Sequence, residues 1–359
     1  MNSSPDTLGS IVHVSTGTVL RGGERQALRL HTGLIERGYD STFICRAGGA
    51  CSQSGAAHCR PIAWRGEWDI GGLALLFHQC ASIRPSIIHC HDAHALSHGA
   101  LIGALLGIPV IYTRRVVFPL KNAFFSRWKY SRCAALIAVS KAVALQCASV
   151  AEAGKIAIIP DGVDWNEPLL ERAKARSALG VPHTGFVIGT VGHFTKEKNL
   201  PLIVGLAGRI LPIKPNVQIV CVGPIDGKPA AYPHNLVFAG YRSDALSLYS
   251  AFDVYVSAST LEGLGSALVD AVVRDIPTVA VNAGGTADIF PDAWPLIQPG
   301  DEEGFCNAVL QVIDDLPRAQ AAAMQSGLRA RELFSVDHMV EQTLQQYRAI
   351  LSLSNQHNG

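Results

Sequence analysis

The chain of 359 residues carries 30 Lys and Arg against 29 Asp and Glu, a net charge of +1, which excludes a globally basic nucleic-acid binder. A hydrophobic content of 48% with only 16% charged residues excludes a disordered chain and leaves apolar surface for two domains of ordinary size. The nine cysteines are an odd number with no C-x-x-C pair, a pattern of buried reduced thiols rather than of a disulfide framework or a zinc site.

The amino-terminal stretch M-N-S-S-P-D-T is polar and has no signal-peptide pattern, and no apolar run is long enough to span a bilayer, so a cytoplasmic protein is expected. Ile11–Val14 reads as a first strand. Gly17 and Gly22-Gly23 read as a loop, and Glu24–Arg37 as a helix stopped by Gly38. Glycine at such a turn lets backbone N–H groups approach a ligand, although a plain tight turn would use the same residues. Further strands are expected at Ser41–Cys45, Ile87–His89, Val110–Thr113, Leu136–Val139 and Ile156–Ile159, with a helix from Ala93. Short apolar strands alternating with helices predict a parallel sheet covered on both faces, with ligands at the carboxyl ends of the strands.

The second of these strands runs into I-I-H-C-H-D-A-H, which with His98 brings four histidines close in sequence. His89 and His91 alternate on a strand, and His94 and His98 are one helical turn apart. A metal site is one reading, and a core or positioning role for His89 with a hydroxyl-orienting or proton-relaying role for His91 is the other. Between Ala93 and Ala151 there is no Asp or Glu. That stretch holds Arg114, Arg115, Lys121, Arg127, Lys129, Arg132 and Lys141, interleaved with Phe118, Phe124, Phe125, Trp128 and Tyr130. A solvated basic face is the ordinary meaning of such a run. The aromatics, costly to expose, suggest instead that residues 114–132 touch an anionic membrane surface or a phosphorylated, lipid-linked acceptor.

Pro160-Asp161-Gly162-Val163-Asp164 breaks the alternation, and a polar helix over Pro168–Leu179 follows. The pattern then restarts with strands at Phe186–Val191, Val217–Val222, Val237-Phe238, Asp253–Val256, Thr278–Val281 and Leu296-Ile297. Three helices close the chain: Glu303–Asp315, Arg318–Leu333 and one from Val336. The organisation expected is therefore α/β, with two doubly wound Rossmann-like domains, residues 1–165 and 166–335.

The most informative stretch of the second half is S-A-S-T-L-E-G-L-G-S-A-L-V-D-A, residues 257–271. It follows an apolar strand and opens a helix near Ser266. Gly263 and Gly265 allow backbone donors to come close to a ligand, and the unpaired N–H groups at a helix start suit a phosphate. Glu262 and Asp270 add two carboxylates that accept hydrogen bonds from hydroxyl groups, so the stretch suits a nucleotide joined to a sugar. An ordinary strand–turn–helix with chance carboxylates is the plainer alternative.

E-G-L-G-S-A-L-V-D-A resembles the E-G-F-G…E-A signature of the retaining glycosyltransferases of family 4, "group 1", which have the two-domain GT-B fold. The resemblance covers nearly the whole chain. It implies two Rossmann-like domains facing a cleft, with the last helix, residues 336–359, packing back on the first domain. It also implies that Glu262 binds the donor sugar, that Asp270, where the family usually has Glu, binds the ribose, and that Gly263, Leu264, Gly265 and Ser266 hold the diphosphate. Gly22-Gly23-Glu24-Arg25 is similar to the family's amino-terminal glycine loop, which approaches donor phosphates and acceptor. Gly192-His193-Phe194-Thr195-Lys196-Glu197-Lys198 resembles the V-G-R…E-K-G segment, whose Arg and Lys clamp the diphosphate. Lys198 falls on the Lys, and His193 replaces the Arg with a weaker donor.

The histidine segment resembles the family's V-H-x-H, with His91 facing the cleft. In Tyr112-Thr113-Arg114-Arg115, Arg115 stands where the family often has a catalytic His, and could meet donor phosphate or an anionic acceptor. Base recognition in such folds is implied around Gly240-Tyr241-Arg242. No D-x-D stands at a strand end, so no metal is expected, and no cofactor beyond the nucleotide sugar as co-substrate. The function implied is metal-independent transfer of a sugar, with retention, from a nucleotide diphosphate to a hydroxyl of a cell-envelope glycan or glycolipid. The enzyme would be cytoplasmic or peripheral on the inner membrane face. The catalytic set expected is Glu262, His91, Lys198 and Arg115, and the donor set also takes in Tyr241. A sugar-nucleotide 2-epimerase, a phosphorylase of the same fold and a non-catalytic sugar-nucleotide binder remain as alternatives.

Overall fold

A computed structural model of the protein describes residues 8–66, 69–120, 124–227, 229–290 and 295–357. The polar amino-terminal stretch and Lys121 of the basic run lie outside the described residues. The chain forms two compact units, one running to Gly162 and resumed from Ser335, the other spanning Val163–Phe334. The division thus falls at Gly162, not after residue 165.

The first unit holds seven strands: β1 (Ile11–Ser15), β2 (Ser41–Arg46), β3 (Cys59–Ile62), β4 (Ile87–Cys90), β5 (Val110–Arg114), β6 (Cys133–Ala138) and β7 (Ile156–Ile158). They pair in parallel in the order β3-β2-β1-β4-β5-β6-β7. β1 and β4 are fully buried along their length, which explains why they read as continuous apolar runs rather than as alternating ones. β3, Cys-Arg-Pro-Ile, gave no such signal. It is an edge strand, mostly outward-facing, where Pro61 need not donate to a neighbour. The helix Ile70–Ile83 was also missed. It is capped by Asp69, whose carboxylate accepts from Gly71 N, but its apolar residues lie on all sides and Ile70 is 80% exposed.

The helix expected from Glu24 begins two residues earlier, at Gly22, and runs to Glu36. Glu24 reaches back to accept from Arg21 N at 3.1 Å, fixing the first turn, so Gly22 and Gly23 are helical rather than a loop. The last helix, Val336–His357, belongs to this unit: Met339, Val340, Leu344, Tyr347 and Ile350 join Leu30, Leu34, Ile111 and Ile137 in one core. Gly33 makes the approach of the two helices close, since a Cβ there would stand 2.7 Å from Val340 Cγ2.

The second unit holds β8 (Phe186–Val191), β9 (Val217–Val222), β10 (Leu236–Gly240), β11 (Val254–Ser257) and β12 (Thr278–Ala280). They too pair in parallel, in the order β10-β9-β8-β11-β12. Ile297 contributes only an isolated bridge to Val281, so the expected strand at Leu296-Ile297 does not extend. The helix expected over Pro168–Leu179 is confined to Arg172–Leu179. Buried Arg176 anchors it by donating to Asp253 Oδ2 at 2.7 Å and to Ala251 O at 3.2 Å. Among the described residues no helix is long and apolar enough to cross a membrane.

Both sheets reverse direction once. In the first the chain winds outward from β1 one way and from β4 the other; in the second the reversal falls between β8 and β11. Loops diverge at such switch points and leave a crevice at the carboxyl ends of the strands.

Candidate active site

In the second unit the switch point brings the expected residues Lys198 and Glu262 together. Lys198 lies beyond β8 and Glu262 beyond β11. Lys198 Nζ donates to Glu262 Oε1 at 2.5 Å, and Ser259 Oγ donates to the same oxygen at 2.7 Å. The pair is partly open to solvent, with 27% and 13% of the two side chains exposed. A backbone bond from Thr260 N to Glu197 O, 2.8 Å, ties the two loops to each other. Gly192 takes φ +153°, and Lys198 Cε lies 3.3 Å from where a Cβ on it would stand, so glycine leaves the lysine stem its path.

The turn Glu262–Gly265 is held from behind by two glycines absent from the expected set. A Cβ on Gly284 would stand 2.3 Å from Glu262 O, and one on Gly285 2.0 Å from Gly263 O. Gly285 N also donates to Glu262 O at 3.0 Å. N-A-G-G-T following a strand reads as a turn, and only the fold shows that its glycines touch the loop carrying Glu262.

Gly265 adopts the left-handed conformation, φ +96°, and opens the helix Ser266–Val272. That helix has only seven residues, so its start offers unpaired first-turn N–H groups rather than an accumulated dipole. Leu264 is buried. Asp270 is also buried, and its Oδ1 accepts from Arg274 Nη1 at 3.0 Å. His193 Nε2 meets Asp226 Oδ1 at 2.8 Å, a partner no motif announced. Tyr241 is 66% exposed, just past Gly240 at the end of β10.

In the first unit His91, directly after β4, and Arg115, directly after β5, also come together. Arg115 Nε donates to Asp161 Oδ1 at 2.8 Å, both side chains being about nine-tenths buried, and Arg115 Nη1 faces His91 Nδ1 at 3.4 Å. Gly23 packs on this arginine, its Cβ position 3.5 Å from Arg115 Cδ. His91 Nε2 lies 2.9 Å from His13 Nδ1. Arginine can only donate, so His91 Nδ1 accepts, its proton sits on Nε2, and His13 Nδ1 accepts in turn. His13 Nε2 is then a buried N–H without a partner. Burial above all, with neighbouring histidines and Arg115 adding to it, holds His91 and His13 well below the ordinary imidazole value. Both ring nitrogens of His91 therefore face protein groups. Burial raises the Asp161 carboxyl above its ordinary value even beside Arg115, which pulls the other way. Neither His13 nor Asp161 carried a sequence signal beyond a strand and a turn.

Ring nitrogens of His13, His89 and His91 lie within 4.8 Å of one another. His89 is engaged on both sides, by Tyr347 Oη at 2.6 Å and Thr113 Oγ1 at 2.7 Å, and burial lowers its pKa to about 3. A metal would have to displace both hydroxyls. His98 does not join the group; it packs edge-on against Trp64 at 4.6 Å. The basic run is also less superficial than its sequence suggests. Arg114 is buried and donates to Phe118 O, and Lys129 is buried and donates to Ala93 O and Ser97 Oγ. Arg127, Arg132 and Lys141 are exposed, as are Phe118 and Phe124.

Residues 20–167 match the family model described as Glycosyltransferase Family 4, and residues 185–315 match Glycosyl transferases group 1. The Escherichia coli UDP-Gal:alpha-D-GlcNAc-diphosphoundecaprenol alpha-1,3-galactosyltransferase is 25% identical over 345 residues, covering 85% of this chain and 88% of that protein. A 2-deoxystreptamine glucosyltransferase of Streptomyces kanamyceticus is 26% identical over 78% of this chain and 82% of its own. The crystal structure of Anabaena HepE in complex with UDP superposes with a TM-score of 0.81 at 19% identity, covering 95% of this chain and all of that one.

Proposed function

This chain belongs to the group 1 glycosyltransferases of the two-domain, Rossmann-like GT-B fold, and from that premise we propose that it is a retaining, metal-independent enzyme of cell-envelope glycan or glycolipid assembly. The donor is a nucleotide-diphosphate sugar. The acceptor offers a hydroxyl on a glycan or lipid-linked sugar, as the name of the Escherichia coli relative says of that enzyme.

The observation that carries this reading is the Lys198–Glu262 pair at the switch point of the second unit. One carboxylate oxygen of Glu262 takes Lys198 and Ser259, which leaves the other for hydroxyl groups of the donor sugar. Lys198 has further N–H donors for the departing diphosphate. Charge that develops on that leaving group meets a preorganised cation and backbone N–H groups, the kind of electrostatic stabilisation that works best where water is excluded. The acceptor hydroxyl attacks from the face the diphosphate leaves, and its proton passes to the leaving phosphate oxygen. Arg115, held by Asp161 and His91, supplies a second fixed positive charge in the first unit. Asp270, in the helix that Gly265 opens, meets the ribose.

Peripheral attachment to anionic lipid is part of the same proposal. It rests on exposed Phe118 and Phe124 beside exposed Arg127 and Arg132, with Arg114 and Lys129 serving the interior instead. Sedimentation with vesicles with and without anionic lipid tests it, and equal binding to both removes it.

Release of nucleoside diphosphate from a panel of UDP-, GDP- and ADP-sugars is the direct test of transfer. The wild-type protein should turn over at least one donor in the presence of a metal chelator, and Glu262→Ala should abolish that turnover while the fold survives. Full activity in Glu262→Ala overturns the site assignment.

A further inference from the structure

Resting on the transfer reading above, we propose that the cavity at the switch point of the first unit is a subsite for a phosphate carried by the acceptor sugar, gripped by Arg21 and Arg46. The cavity has a volume of about 380 Å³, within the usual size of small-molecule sites and large enough for a hexose bearing a phosphate. Its walls come from the segment after β1, from Arg46 at the end of β2, from Asp92 after β4, and from Trp64. These are the carboxyl ends of the strands on either side of the reversal between β1 and β4, where an open parallel sheet presents its crevice.

The charges in this cavity are unequally engaged. Asp92 accepts four hydrogen bonds, from Thr16 N at 2.7 Å, Thr16 Oγ1 at 2.8 Å, His94 N at 3.1 Å and Ala95 N at 2.8 Å. Three of these fall on Oδ1 and one on Oδ2, and the same carboxylate caps the helix Ala93–Leu106. Glu24 is turned back on Arg21 N, and its Oε1 lies under Gly17, where a Cβ would come within 2.3 Å. Asp92 is thus tied to Thr16 and to the start of a helix, and one oxygen of Glu24 to the backbone of Arg21. The guanidinium groups of Arg21 and Arg46 have no ion-pair or hydrogen-bond partner among the described residues. Trp64 is buried, its Nε1 committed to Gly66 O at 3.1 Å, so it presents a fixed wall rather than a mobile ring.

Two guanidiniums without a protein partner, in a cavity whose carboxylates are held by Thr16, the Arg21 backbone and a helix start, favour an anion, and arginine's planar fork suits phosphate oxygens in particular. The cavity also adjoins the cluster of the reaction: Asp92 follows His91 directly, and Gly23, two residues past Arg21, packs on Arg115. A phosphate held by Arg21 and Arg46 would orient the sugar that bears it beside those groups.

The experiment is a calorimetric titration of the full chain with N-acetylglucosamine 1-phosphate, with the uncharged methyl glycoside and with inorganic phosphate. Each is repeated on Arg46→Gln, Arg21→Gln and Lys198→Ala. The sugar phosphate should bind wild type. Its affinity should fall about tenfold or more in each arginine variant, as the loss of a charge-assisted bidentate contact implies. Lys198→Ala should bind it as wild type does, and the methyl glycoside should bind far more weakly. The proposal is overturned if the arginine variants bind the sugar phosphate unchanged, if the methyl glycoside binds as well, if inorganic phosphate binds as tightly, or if only Lys198→Ala loses binding. Nucleoside diphosphate release by the same preparations is read separately and reports on the transfer reading alone.

Discussion

Replacing Gly285 with alanine isolates one contact that holds the turn carrying Glu262 in place. Gly285 has φ −73°, a conformation any residue adopts, so alanine brings no backbone strain there. What it brings is a methyl group 2.0 Å from Gly263 O and 2.9 Å from Leu264 Cα. Ordinary contact begins near 3.4 Å, so the turn carrying Glu262 must retreat by about 1.4 Å or the methyl must be accommodated at the expense of packing. Overpacking of this kind costs about 1–3 kcal/mol. For a unit of this size that lowers the melting temperature by roughly 2–4 °C per kcal/mol. The effect on chemistry should be larger, because a misplacement of about 1 Å in a reacting constellation costs on the order of 100-fold in rate. Gly205→Ala is the matched control: that glycine is exposed in the helix Leu200–Ile210 with nothing within 4 Å, and alanine should stabilise it by about 0.5–1 kcal/mol. Calorimetry and kcat/KM for nucleoside diphosphate release, measured on both variants, make the comparison. If Gly285→Ala keeps wild-type kcat/KM, the glycine pair does not set the position of Glu262, and the reasoning fails.

Asp161→Asn removes the acid of a nearly buried ion pair and should destabilise the first unit by about 3 kcal/mol, with activity falling as Arg115 loses its anchor; a urea midpoint unchanged from wild type would contradict this. His13, His89 and His91 all have folded pKa values below the ordinary 6.5, so the unfolded chain binds more protons in acid. Their stabilising contribution is complete above about pH 6.5 and is lost as pH falls, at up to about 1.4 kcal/mol per pH unit for each group, for His89 down to about pH 3. Urea midpoints that stay level from pH 7 to pH 5 would show that these rings are not buried neutral. Truncation after Phe334 takes Tyr347 from His89 and strips Val340 and Leu344 from the core, so the cooperative melting of the first unit should disappear while that of the second persists.

Much of this architecture was legible because buried parallel strands announce themselves as short runs of Val, Ile and Cys between turns. β1, β2, β4, β5, β8, β9 and β11 are all of that kind. The elements that escaped lack the signal for physical reasons. β3 is a four-residue edge strand containing Pro61, and the helix Ile70–Ile83 is apolar on every side, so periodicity could not mark its buried face. Glu262 stood out beside Gly263 after a strand, and Lys198 through the resemblance of its segment to a family motif; both are local patterns. His13, Asp161, Asp226 and the Gly284-Gly285 pair act through contacts with residues 33 to 78 positions away or through backbone proximity, and no local window contains both partners. The basic run misled in part for the same reason. Arg114 and Lys129 turn inward to carbonyl oxygens, a destination composition does not record.

The return of the final helix to the first unit has a consequence for synthesis on the ribosome. The sheet from β1 to β7 is complete when Gly162 emerges, yet Leu30, Leu34, Ile111 and Ile137 still lack the neighbours that Met339 to Ile350 provide. At translation rates of about 5–20 residues per second, more than 170 intervening residues take roughly 10–35 s to appear. Throughout that interval the nascent chain carries a greasy stripe open to passing chaperones, while the second unit, contiguous in sequence, can mature first. The half of the protein that is made earliest is thus the half that must finish last.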